Sequence, residues 1–283
     1  MWRHVLPWFA ALAVCGHTAG GHASDFWDEV RTPGLAAHTA LMLEVTAAVR
    51  REEGHHALQL LTGDSPHFAQ DPQVLVVRGL AVALTGDTSR AIGLLREALS
   101  LDARALDDAG WGSRAALVAA KASEFEFASS VLGRVVGGLP AVPARRELYA
   151  MLGDMLLAQG PARLEEALVA YQEAMRGTTR DDVRSVLGLA LALSRNSETA
   201  VSHEVASRLV AASRTEVVVN ALPVPDSEKA ARLAIAREAL GNMDAAIEEW
   251  GRAAADPLWQ AHARIEIARL QQGQAGRKRA RTR

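Results

Sequence analysis

Structural cysteine is absent from most of this chain, and sheet-forming runs are scarce. The 283 residues contain one cysteine, Cys15, so no intrachain disulfide is available and a chain cleaved beyond it has no thiol nucleophile. Aromatic residues make up only 5% of the sequence. Ala, Leu, Val and Arg dominate instead, a mixture that favours helix over strand. Lysine appears only at positions 121, 229 and 278. The net charge of −2 by itself points neither to nor away from nucleic acid, but its distribution is uneven. Arg277, Lys278, Arg279, Arg281 and Arg283 bring five positive charges to the C-terminus and leave the preceding body acidic, which disfavours nucleic-acid binding.

Familiar catalytic spacings are missing too. There is no glycine-rich phosphate loop, no strand–helix alternation to carry one, and no Gly-x-Ser-x-Gly elbow. His203-Glu204 does not begin a zinc-protease motif, because Ser207 stands where the second histidine is needed. His55 and His56 are neighbours, and on a helix they point about 100° apart, so they cannot share a metal without other ligands. Carboxylate pairs such as Glu165-Glu166, Asp181-Asp182 and Glu248-Glu249 fall at helix starts or on polar faces, where they complement the helix dipole. No catalytic residue, cofactor site or metal site is expected, and the chain reads as a non-enzyme.

The one long apolar run, Val5 to Val14, is too short to span a bilayer comfortably. Arg3 precedes it, and Gly21-His22-Ala23 supplies a small-x-small site before Ser24. Residues 1–23 therefore read as a secretory signal, cleaved near Ala23. The stretch "LAVCG" also resembles a bacterial lipobox, which would place lipidation at Cys15, although Val14 stands where that pattern carries a smaller residue. Either route makes the protein exported, in the periplasm or associated with the envelope. A soluble form is favoured over a lipid-anchored one, and the membrane is reached only through such an anchor or the basic tail.

What is present is repetition. "GDTSRAIGLLREALSLD", from Gly86, is echoed by "GNMDAAIEEWGRAAADP", from Gly241. In the first copy, Leu75, Gly79 and Val82 lie on one helix face, Gly86-Asp87 turns the chain, and Ala91, Leu95 and Ala98 line a second helix. The small residues allow two antiparallel helices to approach closely. Ala116, Ala119, Ala128 and Leu132 repeat the pattern, as do Tyr149, Leu152, Gly153, Leu156, Ala167, Tyr171 and Ala174, and then Leu233, Ala246, Trp250 and Ala253. Leu187-Gly188 and Leu191 open another pair whose second helix, about Thr199 to Ser213, matches poorly. These positions resemble the tetratricopeptide repeat family, a helix–turn–helix of about 34 residues.

The resemblance implies an all-α, right-handed superhelical array of antiparallel helix pairs, an α-solenoid. It covers residues 71–272, with an irregular segment at about 196–226 that holds "VVVNALPVPD". Residues 24–70 form a helical cap region beginning at Thr32-Pro33, and 273–283 a disordered basic tail. Trp259 to Gln272 reads as a last helix without a partner.

First helices of such arrays line a concave face. Counting along them places Gln73, Val76, Leu80 and Ala83 in that groove, then Ser113 and Leu117, and then Glu147, Ala150, Asp154 and Leu157. Asp182, Ser185 and Leu189 follow, and lastly Glu228, Ala231, Ile235 and Glu238. The expected groove is apolar with acidic spots and would suit an apolar, neutral-to-basic protein or peptide segment. The function expected is a non-catalytic interaction scaffold of the bacterial envelope. The alternative is a self-associating assembly factor joined through the C-terminal helix, and an enzyme with an unrecognised site comes after both.

Overall fold

The computed structural model describes residues 34–63, 68–140, 143–176, 182–207 and 215–281. The signal-like segment, Cys15, the proposed cleavage near Ala23 and the Thr32-Pro33 helix start lie outside them. Among the described residues every regular element is helical. Six antiparallel pairs follow one another. They are α1 (Leu35–Arg50) with α2 (Gly54–Leu61), α3 (Pro72–Leu84) with α4 (Thr88–Leu101), and α5 (Ala109–Lys121) with α6 (Phe125–Gly138). Then come α7 (Pro143–Ala158) with α8 (Leu164–Met175), and α9 (Val183–Arg195) with α10 (Thr199–Ser207). A short α11 (Thr215–Asn220) precedes the sixth pair, α12 (Asp226–Ala239) with α13 (Met243–Ala253), and α14 (Pro257–Arg281) closes the chain.

Polar caps start several of these helices. Asp71, Asp87, Asp108, Asp182 and Asn242 each accept a hydrogen bond from the first-turn backbone, and Pro72 fills a position whose amide needs no partner. Each such cap contributes about 1 kcal/mol. Every pair turns through one residue in the left-handed region: Glu52, Gly86, Ser123, Gly160, Ser197 and Gly241. These positions are 34, 37, 37, 37 and 44 residues apart, and the longer last interval accommodates α11. At four of them the next amide reaches back five residues, from Glu53 to Ala48, Glu124 to Ala119, Glu198 to Leu193 and Asn242 to Arg237. This is a Schellman closure, which satisfies carbonyls the helix end would otherwise leave open.

The seam expected from small residues is present. Ala91, Leu95, Ala98, Ala116, Ala119, Ala128 and Leu132 are all buried, and a Cβ on Gly79 would lie 3.2 Å from the Ala91 carbonyl. Fully burying each large aliphatic side chain there stabilises by about 1.5–3 kcal/mol.

Residues 35–61 form a helix pair with the same turn as the rest, within the expected helical cap region. Two boundaries differ from expectation. The segment expected to be irregular holds two helices, α10 at Thr199–Ser207 and α11 at Thr215–Asn220, and Val217–Val219 lie in α11. Leu222 and Val224, in the loop after α11, join the apolar cluster of the N-terminal half. Burial there overrides the weak local signal of a β-branched, proline-containing run. The last helix runs on to Arg281, through the stretch expected to be disordered. Gly273 and Gly276 each cost helix about 1 kcal/mol relative to alanine, but the Gln, Ala, Arg and Lys around them are good helix formers. Among the described residues, no helix is long and apolar enough to cross a membrane.

Candidate functional site

The expected groove is closed along most of its length. Gln73, Glu147 and Asp182 are exposed, and Ala83, Ser113 and Leu117 are half-buried. Val76, Leu80, Ala150, Leu157, Ser185, Leu189, Ala231 and Ile235 are buried. Of the five acidic spots, Asp154, Glu228 and Glu238 are buried too, at 0%, 0% and 9% exposure, while Glu147 and Asp182 stay exposed. For Asp154, Glu228 and Glu238 the expected open position is corrected: they are closed off inside the array.

The cause is the curvature of the array. First helices two pairs apart touch across the inner side. Arg114 of α5 donates to the Val49 carbonyl of α1, and Arg50 of α1 stacks over Trp111 of α5. Arg232 of α12 reaches Asp154 of α7, and Ser194 of α9 reaches Glu266 of α14. A first helix flanked in this way is covered on nearly every side. From Ser185 to Ser194 each residue of α9 is buried, as a helix apolar around its circumference requires.

At the centre lies a sealed ionic cluster. The Asp154 carboxylate accepts from Arg184 Nε at 2.6 Å, from Arg232 at 2.8 Å and from the Tyr171 hydroxyl at 2.7 Å. Arg232 also donates to the Tyr171 oxygen at 2.8 Å and to Glu228 at 2.6 Å. Tyr171 is wedged between Gly153 of α7 and Gly188 of α9, and a methyl group at either glycine would collide with its ring. Burial works to raise the Asp154 pKa, but Arg184 and Arg232 outweigh it and hold the carboxyl below its ordinary value. Burial pushes Glu228 up to about 7 against the pull of Arg232, with the Asp154 charge adding to the rise. One Glu228 oxygen, Oε2, has no hydrogen-bond partner. Asp154, Glu228 and Arg232 have no exposed surface, so a substrate cannot reach them. What the cluster can do is hold α7, α8, α9 and α12 in one arrangement.

A second set of contacts fastens α14. The Arg195 guanidinium sits 4.2 Å from the centre of the Trp259 ring and donates to the Leu258 carbonyl at 2.7 Å. Arg269 joins Glu238 at 2.6 Å and Glu266 at 2.7 Å, and His203 closes on Glu238 at 3.0 Å. Among the described residues, no three His, Cys, Asp or Glu side chains converge as a metal site.

The decisive regularity is the six left-handed turns, each joining the two helices of an antiparallel pair, five of them 34–37 residues apart. The fold is a tetratricopeptide-like array. No family model matches the sequence, and no curated protein matches it. Solved structures resemble the array at low identity. The structure described as a MamA RS-1 ArsTM double mutant is 23% identical over 63% of this chain and 95% of its own, with a TM-score of 0.48. A tetratricopeptide repeat protein from Parabacteroides merdae ATCC 43184 is 13% identical over 88% and 89%, with a TM-score of 0.43. YrrB, described as a tetratricopeptide protein with an unusual peptide-binding site, is 15% identical over 69% and 93%, with a TM-score of 0.41.

Sequence reasoning missed the cations of this array: Arg184, Arg195, Arg232 and Arg269. One signal was present. Glu228 and Arg232 stand four apart on one helix, a spacing at which opposite charges meet. The 78-residue separation between Asp154 and Arg232 carries no such signal.

Proposed function

We propose that the protein is a non-catalytic interaction scaffold, exported to the cell envelope, that meets its partner on the outer face of the array. The observation that carries this reading is the contrast between the two faces. Asp154, Glu228 and Glu238 are taken up by the chain's own ion pairs, while apolar side chains remain open on other helices: Val169 of α8 at 58% exposure and Val217 of α11 at 71%. A core locked by buried charges keeps the outer surface rigid, and rigidity reduces the entropy lost on binding. The signal-like N-terminus supports export, and the partner is expected to be an apolar, neutral-to-basic protein segment.

Cross-linking in cells, purification from the envelope fraction and mass spectrometry test this. A recurring protein partner, lost when outer-face residues are changed, supports the scaffold. Absence of the chain from the envelope, or turnover abolished by one side-chain change, overturns it. A second reading is self-association through α14, favoured by Ile265 at 65% exposure and Leu258 at 46%. Its sign would be a concentration-dependent molecular mass that falls when α14 is removed.

A further inference from the structure

Between α6 and α8, with α7 as its floor, runs an open groove of about 760 Å³. We propose that it is the docking site for a basic amphipathic helix of a partner protein, an inference that rests on the scaffold reading. Tyr149, Leu152 and Leu156 give it an apolar floor, and Val169 stands exposed on the α8 wall. The α6 wall is built from small residues. Ser129, Ser130 and Gly133 recur at helical spacing along it, and a Cβ added at Gly133 would meet nothing within 4 Å. A wall this low lets another backbone come close, the condition for packing one helix into the furrow between two others.

Charge selects the occupant. Both cations of the groove are already paired, Arg163 with Glu166 at 2.5 Å and Arg134 with Asp107 at 3.3 Å. Glu126 and Glu165 stand on opposite walls and leave the lining with three carboxylates against two guanidinium groups, Glu126 also acting on Arg163. An entering segment therefore places apolar side chains on the floor and Lys or Arg toward both rims. The α6 wall extends from Glu126 to Arg134, which at about 1.5 Å per residue matches a partner helix of roughly two to three turns. Helix-in-groove recognition fits this shape. A strand-adding mode has nothing to pair with, because the described residues include no sheet edge.

The test is selection of a displayed library of random 16-residue peptides on the full chain. Subtraction on the Gly133→Trp variant removes peptides that bind elsewhere. The expected winners carry apolar residues at helical spacing together with Lys or Arg. Their Kd, read by fluorescence anisotropy, should weaken at least tenfold with Gly133→Trp and also with Glu126→Arg plus Glu165→Arg. Circular dichroism and thermal melting should show both variants folded as the parent is. Winners that are acidic, or that bind Gly133→Trp as tightly as the parent, overturn the groove. If cross-linking still recovers a partner in that case, the scaffold stands and its surface lies elsewhere. No enrichment overturns the groove, and absence of any cross-linked partner would then remove the scaffold as well.

Discussion

Arg232 of α12 donates to Asp154 of α7 at 2.8 Å, across 78 residues of sequence and with neither side chain exposed. This pair joins the first helices of the fourth and sixth pairs and shuts the inner face of the C-terminal half. Deleting one member of a buried ion pair typically costs about 3–5 kcal/mol, and here the loss is softened because Asp154 keeps Arg184 and Arg232 keeps Glu228. Asp154→Ala is expected to show that loss in urea unfolding, as is Arg232→Ala. The double replacement Asp154→Ala with Arg232→Ala should lose less than the two single changes together. An additive double mutant would mean that the contact does not couple the helices.

Glu228 makes stability depend on pH in a definite direction. Its folded pKa is raised to about 7 from an ordinary 4.5, so the protonated form is the one the fold prefers. The resulting stabilisation is complete below pH 4.5. It is lost as pH rises to about 7, because the unfolded chain ionises first. The full effect is about 3 kcal/mol. Glu228→Gln should therefore remove a downward slope between pH 4.5 and 7. His262, whose pKa burial lowers, gives an opposite slope in the same range, so the difference between parent and variant at each pH is the quantity to measure. A difference that stays constant from pH 4.5 to 7 would contradict the account.

Glycine positions divide into three kinds, and their alanine variants should separate accordingly. At Gly188 a Cβ collides with the Tyr171 ring, whose hydroxyl is held by Asp154 and Arg232, so Gly188→Ala should cost about 1–3 kcal/mol or more. At Gly79 the nearest atoms lie at 3.2 Å, and a smaller loss is expected. At Gly133 the space is open, and alanine should raise stability by about 1 kcal/mol through helix propensity alone. Thermal melts of the three variants should fall in that order.

The turns give a complementary prediction. Glu52, Ser123 and Ser197 hold left-handed backbone with φ of 64°, 62° and 65°, a conformation that costs an ordinary residue about 1–2 kcal/mol. Ser123→Gly and Ser197→Gly should each stabilise the array by part of that amount, the remainder being offset by a freer unfolded chain. Loss of stability in both would show that the serine side chains hold the turns in another way.

These turns also show where the sequence was legible. Gly86 and Gly241 announce their hinges, because glycine is the residue that a left-handed turn favours, and the Ala and Leu seam beside them follows helical spacing. The pair at 35–61 turns through Glu52, which carries no such signal, so its two helices were legible while its shared turn was not. The groove residues were counted along single helices. What the counting could not contain was curvature. Whether Asp154 faces solvent or Arg232 depends on how far each pair rotates against the next, and that rotation sums small packing differences over several helices. Local spacing also favoured exposure for Glu228 and Glu238, because charged residues are rarely buried without partners and the partners came from other helices.

The last helix offers the sharpest contrast between two roles. Trp259 is 1% exposed beneath the Arg195 guanidinium, and Arg269 bridges Glu238 and Glu266. If α14 is part of the core, Trp259→Ala should cost about 3–5 kcal/mol. Ending the chain at Asp256 should then lower the melting temperature and speed amide exchange in α9 and α12, since Ser194 and Glu238 lose the partners that cover them. If α14 serves only to join copies, the shortened chain should keep its melting temperature at low concentration and change only in mass. The contacts made by Trp259, His262, Glu266 and Arg269 predict the first result. Measuring both quantities on the same shortened chain decides between the roles.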